Sequence, residues 1–229
     1  MKKILLPVLI LLSLNLSGQN LQLHYDFGEN RQFITSTLEM FKPDDFGATF
    51  WFVDIDYCDG VSANSASMAY WEIARYFSMP FLKSNRTFNQ LSVTIQYNDG
   101  LSSSFSFGNV WLGGFSLPID LKIITINTDI LYRKAEARDG NIQLTVVWFK
   151  SFLQDKLIFT GFMDIWGQDN FDGDDDADDS QIVFLTEPQL WLNLSKHLAL
   201  GGEVEISRNF IAGGSDLKFM PTLGLKWEF

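Results

Sequence analysis

The last nine residues, Pro221–Phe229, read PTLGLKWEF. Leu223, Leu225, Trp227 and Phe229 alternate with polar or small residues, so a strand here would have one apolar and one polar face. Chain ends are usually polar and frayed. An ending this regular and this apolar therefore predicts a β-strand that is held in place by its surroundings.

The same two-residue period recurs along most of the chain. Apolar and polar residues alternate most clearly at 21–27, 51–57, 91–97, 142–148 and 198–206. Clusters of Gly, Pro, Asn and Asp separate such stretches and predict turns, one of them at Asn98-Asp99-Gly100. We predict strands at roughly 20–28, 33–42, 47–58, 66–77, 89–98, 104–115, 119–133, 141–150, 156–167, 181–193, 198–208 and 216–229.

The beginning of the sequence has the composition of an export signal. Met1-Lys2-Lys3 is basic, residues 4–16 are mostly apolar, and Ser17 and Gly18 are small. This pattern predicts a secretory signal peptide at residues 1–18, followed by a single domain at 19–229. Beyond residue 18 we find no apolar run long enough for a membrane-spanning helix.

Two all-β architectures fit this pattern, and they differ in which face points inward. In a soluble sandwich or lipocalin-like barrel the apolar face lies inside, whereas in an outer-membrane barrel it faces lipid and the polar face lines the lumen. The polar faces are rich in carboxylates at mid-strand, namely Asp26, Glu39, Asp54, Asp56, Glu72, Asp129, Asp164, Glu187, Glu203 and Glu205. The apolar faces have Tyr and Trp near strand ends, namely Tyr25, Trp51, Tyr57, Tyr97, Trp148 and Trp227.

These features favour an all-β, transmembrane antiparallel up-and-down β-barrel of about twelve strands. Such a barrel must be closed, because lipid cannot satisfy an open sheet edge. An even number of strands puts both chain ends on the periplasmic side. Short turns are expected on that side, and longer, more acidic loops such as 167–180 on the other.

Two resemblances support this expectation. Thr222, Gly224, Trp227 and Phe229 resemble the C-terminal β-signal that the outer-membrane assembly machinery recognises. Six segments of the chain also resemble sequences of a known family. They are LQLHYDFG (21–28), FITSTLEMFKPDDFGATFWFVDIDY (33–57), AYWEIARYF (69–77), TGFMDIWGQD (160–169), FLTEPQLWLNLSKH (184–197) and MPTLGLKWEF (220–229). The family they resemble is an uncharacterised branch of the Tsx-like nucleoside-specific channel-forming outer-membrane proteins. The resemblance implies a narrow, monomeric, twelve-stranded barrel in the bacterial outer membrane, in contact with lipid and lipopolysaccharide.

A twelve-stranded barrel leaves a narrow lumen whose side chains select the solute. A nucleoside has a flat base and a hydroxylated sugar, and it requires aromatic faces together with carboxylates or amides. We therefore predict that the protein is a channel for passive uptake of small solutes, with nucleosides as the leading candidates. The candidate substrate-binding or lumen residues are Phe50, Phe52, Asp54, Asp56, Tyr70, Glu72, Phe162, Asp164, Trp166, Glu187, Trp191 and Glu203.

The alternative is a plugged barrel with a structural or surface-binding role. In that case the carboxylates pair with cations and brace the wall, and the candidate partners are Arg75, Lys122, Arg133, Lys150 and Lys218. If the carboxylates remain unpaired, they repel anions, so neutral or cationic solutes would pass more easily.

Other functional classes find little support. The acidic stretch 169–179 holds seven aspartates but lacks the glycine and glutamate of an EF-hand, so it predicts a solvated loop and no metal site. The two histidines, His24 and His197, are not accompanied by a hydrolase motif, so we expect neither an enzyme nor a cofactor. The net charge of −11, which becomes −13 without Lys2 and Lys3, argues against nucleic-acid binding.

Overall fold

The computed structural model describes residues 18–29, 31–57, 65–82, 88–102, 108–169, 180–210 and 216–229. Besides one turn of 3-10 helix at Pro80–Leu82, its regular elements are strands. They are β1 (Gln19–Asp26), β2 (Ile34–Asp44), β3 (Gly47–Tyr57), β4 (Met68–Ser78), β5 (Ser92–Ser102), β6 (Val110–Asp120), β7 (Thr125–Ala135), β8 (Gly140–Phe152), β9 (Leu157–Asp169), β10 (Ser180–Thr186), β11 (Gln189–Asn193), β12 (Leu198–Arg208) and β13 (Lys218–Glu228).

The strands form one closed antiparallel barrel. Each strand pairs with its neighbours in sequence, and β13 closes the sheet against β1, with Leu23 opposite Leu225. β10 and β11 both lie between β9 and β12, so they are two parts of a single barrel strand. The barrel therefore has twelve strands, which confirms the fold predicted from the sequence.

The barrel is apolar outside and largely polar inside. In β1, Leu23 is 48% exposed on the outer face, whereas His24 is 2% exposed on the inner face. Nine of the ten predicted mid-strand carboxylates share the inner face with residues that pair with them across the sheet, whereas Glu187 lies between β10 and β11 and is not in a strand. An outer surface of this kind suits contact with lipid rather than water.

The two ends of the barrel differ in their connections. At one end, which we call the turn end, lie Gln19, Glu228 and the connections 45–46, 79–91, 121–124, 153–156 and 194–197. The connection 79–91, with its 3-10 turn, is longer than the short turn predicted on this side. The opposite end, the loop end, includes 27–33 and 136–139 among its connections. No helix in the described ranges is long and apolar enough to cross a membrane.

The predicted turn at Asn98-Asp99-Gly100 is wrong. These residues lie within β5 and pair with β4, with Asn98 opposite Glu72 and Gly100 opposite Tyr70. Their turn-forming character is overridden by the strand ladder, in which Asn98 and Gly100 face the lumen and Asp99 faces outward, where it accepts a hydrogen bond from Tyr97. As a consequence, the predicted sixth and seventh strands shift to Val110–Asp120 and Thr125–Ala135.

Some predictions concern segments that the structure does not describe. The signal peptide at 1–17 and most of the acidic stretch, 170–179, lie outside the described residues. They remain predictions from the sequence.

Candidate functional site: the acid–aromatic lumen

The predicted lumen residues lie on the inner faces of their strands. β3 contributes Phe50, Phe52, Asp54 and Asp56, β4 contributes Tyr70 and Glu72, β9 contributes Phe162, Asp164 and Trp166, β11 contributes Trp191 and β12 contributes Glu203. Glu187 lies in the interruption between β10 and β11. Most of them are partly exposed, whereas Asp56, Trp166 and Trp191 are buried.

The partly exposed members face the interior from β3, β4, β9, β12 and the interruption between β10 and β11, and together we call them the acid–aromatic face: Phe50, Phe52, Asp54, Tyr70, Glu72, Phe162, Asp164, Glu187 and Glu203. The Tyr70 hydroxyl donates to Glu72 Oε1 at 2.6 Å, and the Phe52 and Tyr70 rings lie 6.0 Å apart. Asp54 accepts a hydrogen bond of 2.5 Å from Thr37. Aromatic rings and carboxylates therefore alternate on this wall.

The carboxylates of this face converge from distant parts of the chain. Glu187 is within electrostatic range of Glu203, Asp54 and Glu72, and Glu72 also interacts with Asp164. In the described part of the chain, no lysine or arginine lies within ion-pair distance of Asp54, Glu72, Asp164 or Glu203. No ion pair with a lysine or arginine of the described residues therefore neutralises these carboxyl groups.

The exposure of inward side chains shows that water can reach the lumen. Val147 points inward, pairing with Phe162 across the strands, and is still 37% exposed. Phe149, two residues nearer the turn end on the same face, is 59% exposed. An inward side chain inside a closed barrel can be exposed only to space within the barrel or at its mouth. That space runs from the acid–aromatic face towards the turn end.

Another part of the lumen is packed. Trp191 is fully buried between the His24 ring, which meets it edge-on at 5.5 Å, and the Lys226 ammonium, 4.8 Å from its centroid. Ile158 and Ala199 pack against it. This group, the Trp191 layer, joins side chains from the turn halves of β9, β11, β12 and β13 to His24 of β1. Trp191 therefore fills space in the barrel and does not line an open lumen.

The cations are placed differently from the prediction. Arg75 lies on the outer face, bound to Asp44 at 2.5 Å and stacked on Phe77. Lys122 lies in the β6–β7 turn and Lys150 next to Phe152 on the outer face, whereas Arg133 and Lys218 face inward. Bracing of the lumen carboxylates by Arg75, Lys122 and Lys150 is therefore wrong.

Two inward cations were missed from the sequence. Lys226 follows from the alternation of PTLGLKWEF, because it shares a face with Thr222 and Gly224. Arg31 lies outside the strands, so the alternation does not reveal it. Its guanidinium lies 2.8 Å from Glu205 and 3.3 Å from Asp26 at the loop end.

His24 is held by neutral partners. Its Nε2 bonds to Gln22 Oε1 at 2.9 Å, and its Nδ1 bonds to the Thr222 hydroxyl at 2.8 Å. Glu203 is 3.8 Å away. This buried network positions a ring against Trp191. Within the described ranges, no group of three potential ligands could hold a metal ion.

A closed twelve-stranded barrel with an apolar exterior and a polar lumen is the architecture of outer-membrane porins. The NanC porin has a TM-score of 0.57 to this chain at 10% identity, covering 92% of this chain and 100% of its own. The KdgM porin has a TM-score of 0.50 at 11% identity, covering 93% and 99%. These similarities concern the fold.

The chain belongs to DUF5020, a domain family of unknown function, whose model matches residues 18–229. No curated protein matches the sequence.

Proposed function

We propose that this protein is a bacterial outer-membrane channel for the passive uptake of small solutes, most favourably nucleosides. The porin-type barrel supports a channel in general terms. The nucleoside part draws on the resemblance to the Tsx-like family and on the chemistry of the acid–aromatic face.

The observation that carries the proposal is the exposure of inward side chains. The acid–aromatic face and Val147 are accessible although their strands direct them into a closed barrel. A lumen filled by its own side chains would bury them, as it buries Trp191 and Asp129. The remaining space is lined by groups that select what enters it.

The same groups favour neutral, flat and hydroxylated solutes. Phe52, Tyr70 and Phe162 offer ring faces, and Glu72 and Asp164 accept hydrogen bonds from hydroxyl or amino groups. Because the carboxylates outnumber the inward cations among the described residues, anions are disfavoured.

The first test is planar-bilayer conductance of the refolded barrel, with nucleosides titrated into the chamber. We expect a small, cation-preferring conductance that nucleosides block at micromolar to millimolar concentrations. Conductance without block would leave a channel of another specificity.

Two substitutions connect the conductance to the acid–aromatic face. Asp54→Asn should reduce the cation preference, because it removes a charge from the lumen wall, and Phe162→Ala should weaken nucleoside block by removing a ring. Asp99→Asn is the matched control for the first, since Asp99 lies on the outer face and accepts from Tyr97 at 2.6 Å. Equal selectivity in Asp54→Asn and Asp99→Asn would contradict the proposed role of the acid–aromatic face.

The Trp191 layer favours a second candidate, a plugged barrel that binds at its surface. Its tight packing could close the passage near the turn end. Silence in the bilayer, from protein shown to be folded by heat-dependent gel mobility, would support this candidate and reject the channel.

The proposal also covers the surroundings of the barrel. The apolar outer face contacts outer-membrane lipid, and the loop end contacts lipopolysaccharide. The terminal strand, with Trp227 on the outer face, is the segment offered to the assembly machinery. We propose a monomer, because each barrel encloses its own lumen.

A further inference from the structure

Arg133 has an inward guanidinium that forms no hydrogen bond or ion pair with any residue that the structure describes. It lies on β7 opposite Leu112 and Asn141, and its Cζ is 5.0 Å from the centroid of the Trp166 ring. Trp166 is the one side chain in the described structure with which it makes a direct contact of this kind. No hydrogen bond or ion pair joins Arg133 to another residue in the described ranges.

The position of the guanidinium is determined by a rigid support. Trp166 is 7% exposed and packs with Val183, Leu185 and Phe162. A guanidinium stacked on such a ring keeps its plane fixed while its N–H groups remain free to donate. Arg133 is itself only partly exposed, so its donors are presented within the barrel.

Unused acceptors lie on the strands around it. Asn141 Oδ1, on the residue paired with Arg133, is buried without a hydrogen-bond partner, and so is Asn98 Oδ1 on β5. Asn98 holds Glu72 through its Nδ2 at 2.7 Å. Buried polar atoms are rarely left unpaired, so the described side chains leave the polar groups around Arg133 incompletely satisfied.

The charges around Arg133 restrict the class of that ligand. Tyr70, Glu72 and Asp164 are within electrostatic range of the guanidinium, as is one further cation, Arg138. An anion attracted by Arg133 would also meet two carboxylates. A neutral solute that offers a carbonyl to the guanidinium and N–H or hydroxyl groups to the carboxylates satisfies both kinds of group at once.

We propose that Arg133, held on Trp166, is the specificity-determining donor of the lumen and binds the carbonyl edge of a neutral, flat heterocycle such as a pyrimidine nucleoside base. Glu72 and Asp164 accept hydrogen bonds from the same solute. The inference builds on the proposed function, because it concerns the same solute in the same lumen.

The test measures equilibrium binding to the folded barrel in detergent, which does not require conduction. The probes are uridine, whose base has carbonyls, adenosine, whose base has none, and glucuronate, an anionic sugar. Equilibrium dialysis gives the affinity of each probe. Arg133→Met retains the packing on Trp166 but removes every donor, while Arg133→Lys keeps the charge without the planar fork.

We expect Arg133→Met to weaken uridine binding by about ten- to a hundredfold, the usual effect of a lost charge-assisted hydrogen bond. Arg133→Lys should recover part of the loss, and adenosine should change less than threefold. Arg75→Met is the matched control, since Arg75 is also stacked on an aromatic ring but lies on the outer face, and it should bind uridine like the wild type.

Three results would overturn the inference: absence of uridine binding to the wild type, equal uridine affinity in Arg133→Met and wild type, or tighter binding of glucuronate than of uridine. If Arg133→Met does not fold, the uridine affinity of Arg133→Lys is compared with that of the wild type instead. Conductance separates the two proposals. If the barrel does not conduct but binds uridine in a way that depends on Arg133, the channel is rejected and the inference about Arg133 stands. If the barrel conducts and uridine blocks Arg133→Met as well as the wild type, the inference about Arg133 is rejected and the channel stands.

Discussion

Arg31 shows how a single side chain can tie a connection to the barrel wall. Its guanidinium, 27% exposed, lies between Asp26 of β1 and Glu205 of β12, whose side chains are 5% and 10% exposed. Glu205 also accepts a hydrogen bond from Ser207 at 2.9 Å. One cation thus compensates two buried carboxylates at the loop end.

Removing this cation should destabilise the barrel. Arg31→Met leaves Asp26 and Glu205 without a counter-charge, and we expect the free energy of unfolding to fall by about 2 kcal/mol, less than for a fully buried pair because Arg31 is partly exposed. This free energy of unfolding is measured by urea titration of the barrel folded into lipid vesicles. Arg31→Lys should reduce the free energy of unfolding by less than Arg31→Met does. Lys134→Met, which removes an exposed cation, should leave the free energy of unfolding almost unchanged. A loss as large in Lys134→Met would contradict this explanation.

A glycine in the terminal strand makes room for a side chain of the first strand. Gly224 faces His24, and a Cβ there would lie 2.8 Å from the Leu23 carbonyl oxygen and 3.1 Å from His24 Nδ1. The glycine therefore gives space to the imidazole that meets Trp191. The sequence identified Gly224 as part of a terminal pattern, but its contact with a histidine 200 residues away followed only from the closure of the barrel.

At the scale of elements, the interruption between β10 and β11 determines where Glu187 points. Pro188 cannot donate to a ladder, and strands tolerate proline chiefly at bulges and edges. Gly161 lies opposite, with a φ of 149°, and a Cβ there would be 2.3 Å from the Glu187 carbonyl oxygen. The close approach of the two backbones therefore requires glycine.

Gly161→Ala should consequently disrupt this crossing. The added methyl would meet backbone atoms of Glu187 and Pro188, which cannot move as a flexible side chain can. We expect a loss of at least about 2 kcal/mol in the free energy of unfolding, as for other overpacked or strained sites. Gly167→Ala is the control on the same strand, because a Cβ there meets nothing within 4 Å. Equal stability of the two variants, measured by urea titration, would show that the crossing tolerates a side chain.

The bounds of the strands were predicted well where apolar and polar residues alternate strictly, and less well where the alternation is interrupted. β3 and β12 were anticipated to within one residue, since each has a regular apolar face. β5 and β6 were displaced because Asn98, Asp99 and Gly100 resemble a turn when only local preference is considered. Their pairing with β4, a contact between strands, decided the outcome.

At the scale of the whole molecule, the barrel is inverted relative to a water-soluble protein. Ile130, at the centre of β7, is 59% exposed, whereas the preceding Asp129 is fully buried and accepts hydrogen bonds from Tyr76, Gln96 and Asn127. Neighbouring residues therefore lie in opposite environments, the apolar exterior of the barrel and the polar network inside it.

The inversion predicts opposite responses to the same added charge. Ile130→Lys puts an ammonium in lipid, and we expect a loss of about 2–4 kcal/mol in the free energy of folding into vesicles. Gln96→Lys is the inward counterpart: Gln96 Nε2 already lies 3.2 Å from Asp129 Oδ2, so the ammonium finds a carboxylate and the loss should be below about 1 kcal/mol. If Gln96→Lys were the more damaging variant, the assignment of the two faces would be wrong.

The sequence by itself determined the class of structure. A period of two residues allows one face per strand, and the identity of the residues on each face decides which face can meet lipid. From this follow the twelve strands, the inward carboxylates and the closing role of PTLGLKWEF. These properties are local or depend only on adjacent strands, so they can be inferred without coordinates.

Only the tertiary structure decided how the lumen is filled. Alternation assigns Trp191 and Glu203 to the same interior, but it does not show that Trp191 is enclosed by His24 and Lys226 while Glu203 remains accessible. Nor does it reveal that Arg133 stacks on Trp166 without a hydrogen bond or ion pair to another described residue. These contacts join strands that are not neighbours in sequence, and they depend on strand stagger and closure, which residue order alone does not specify.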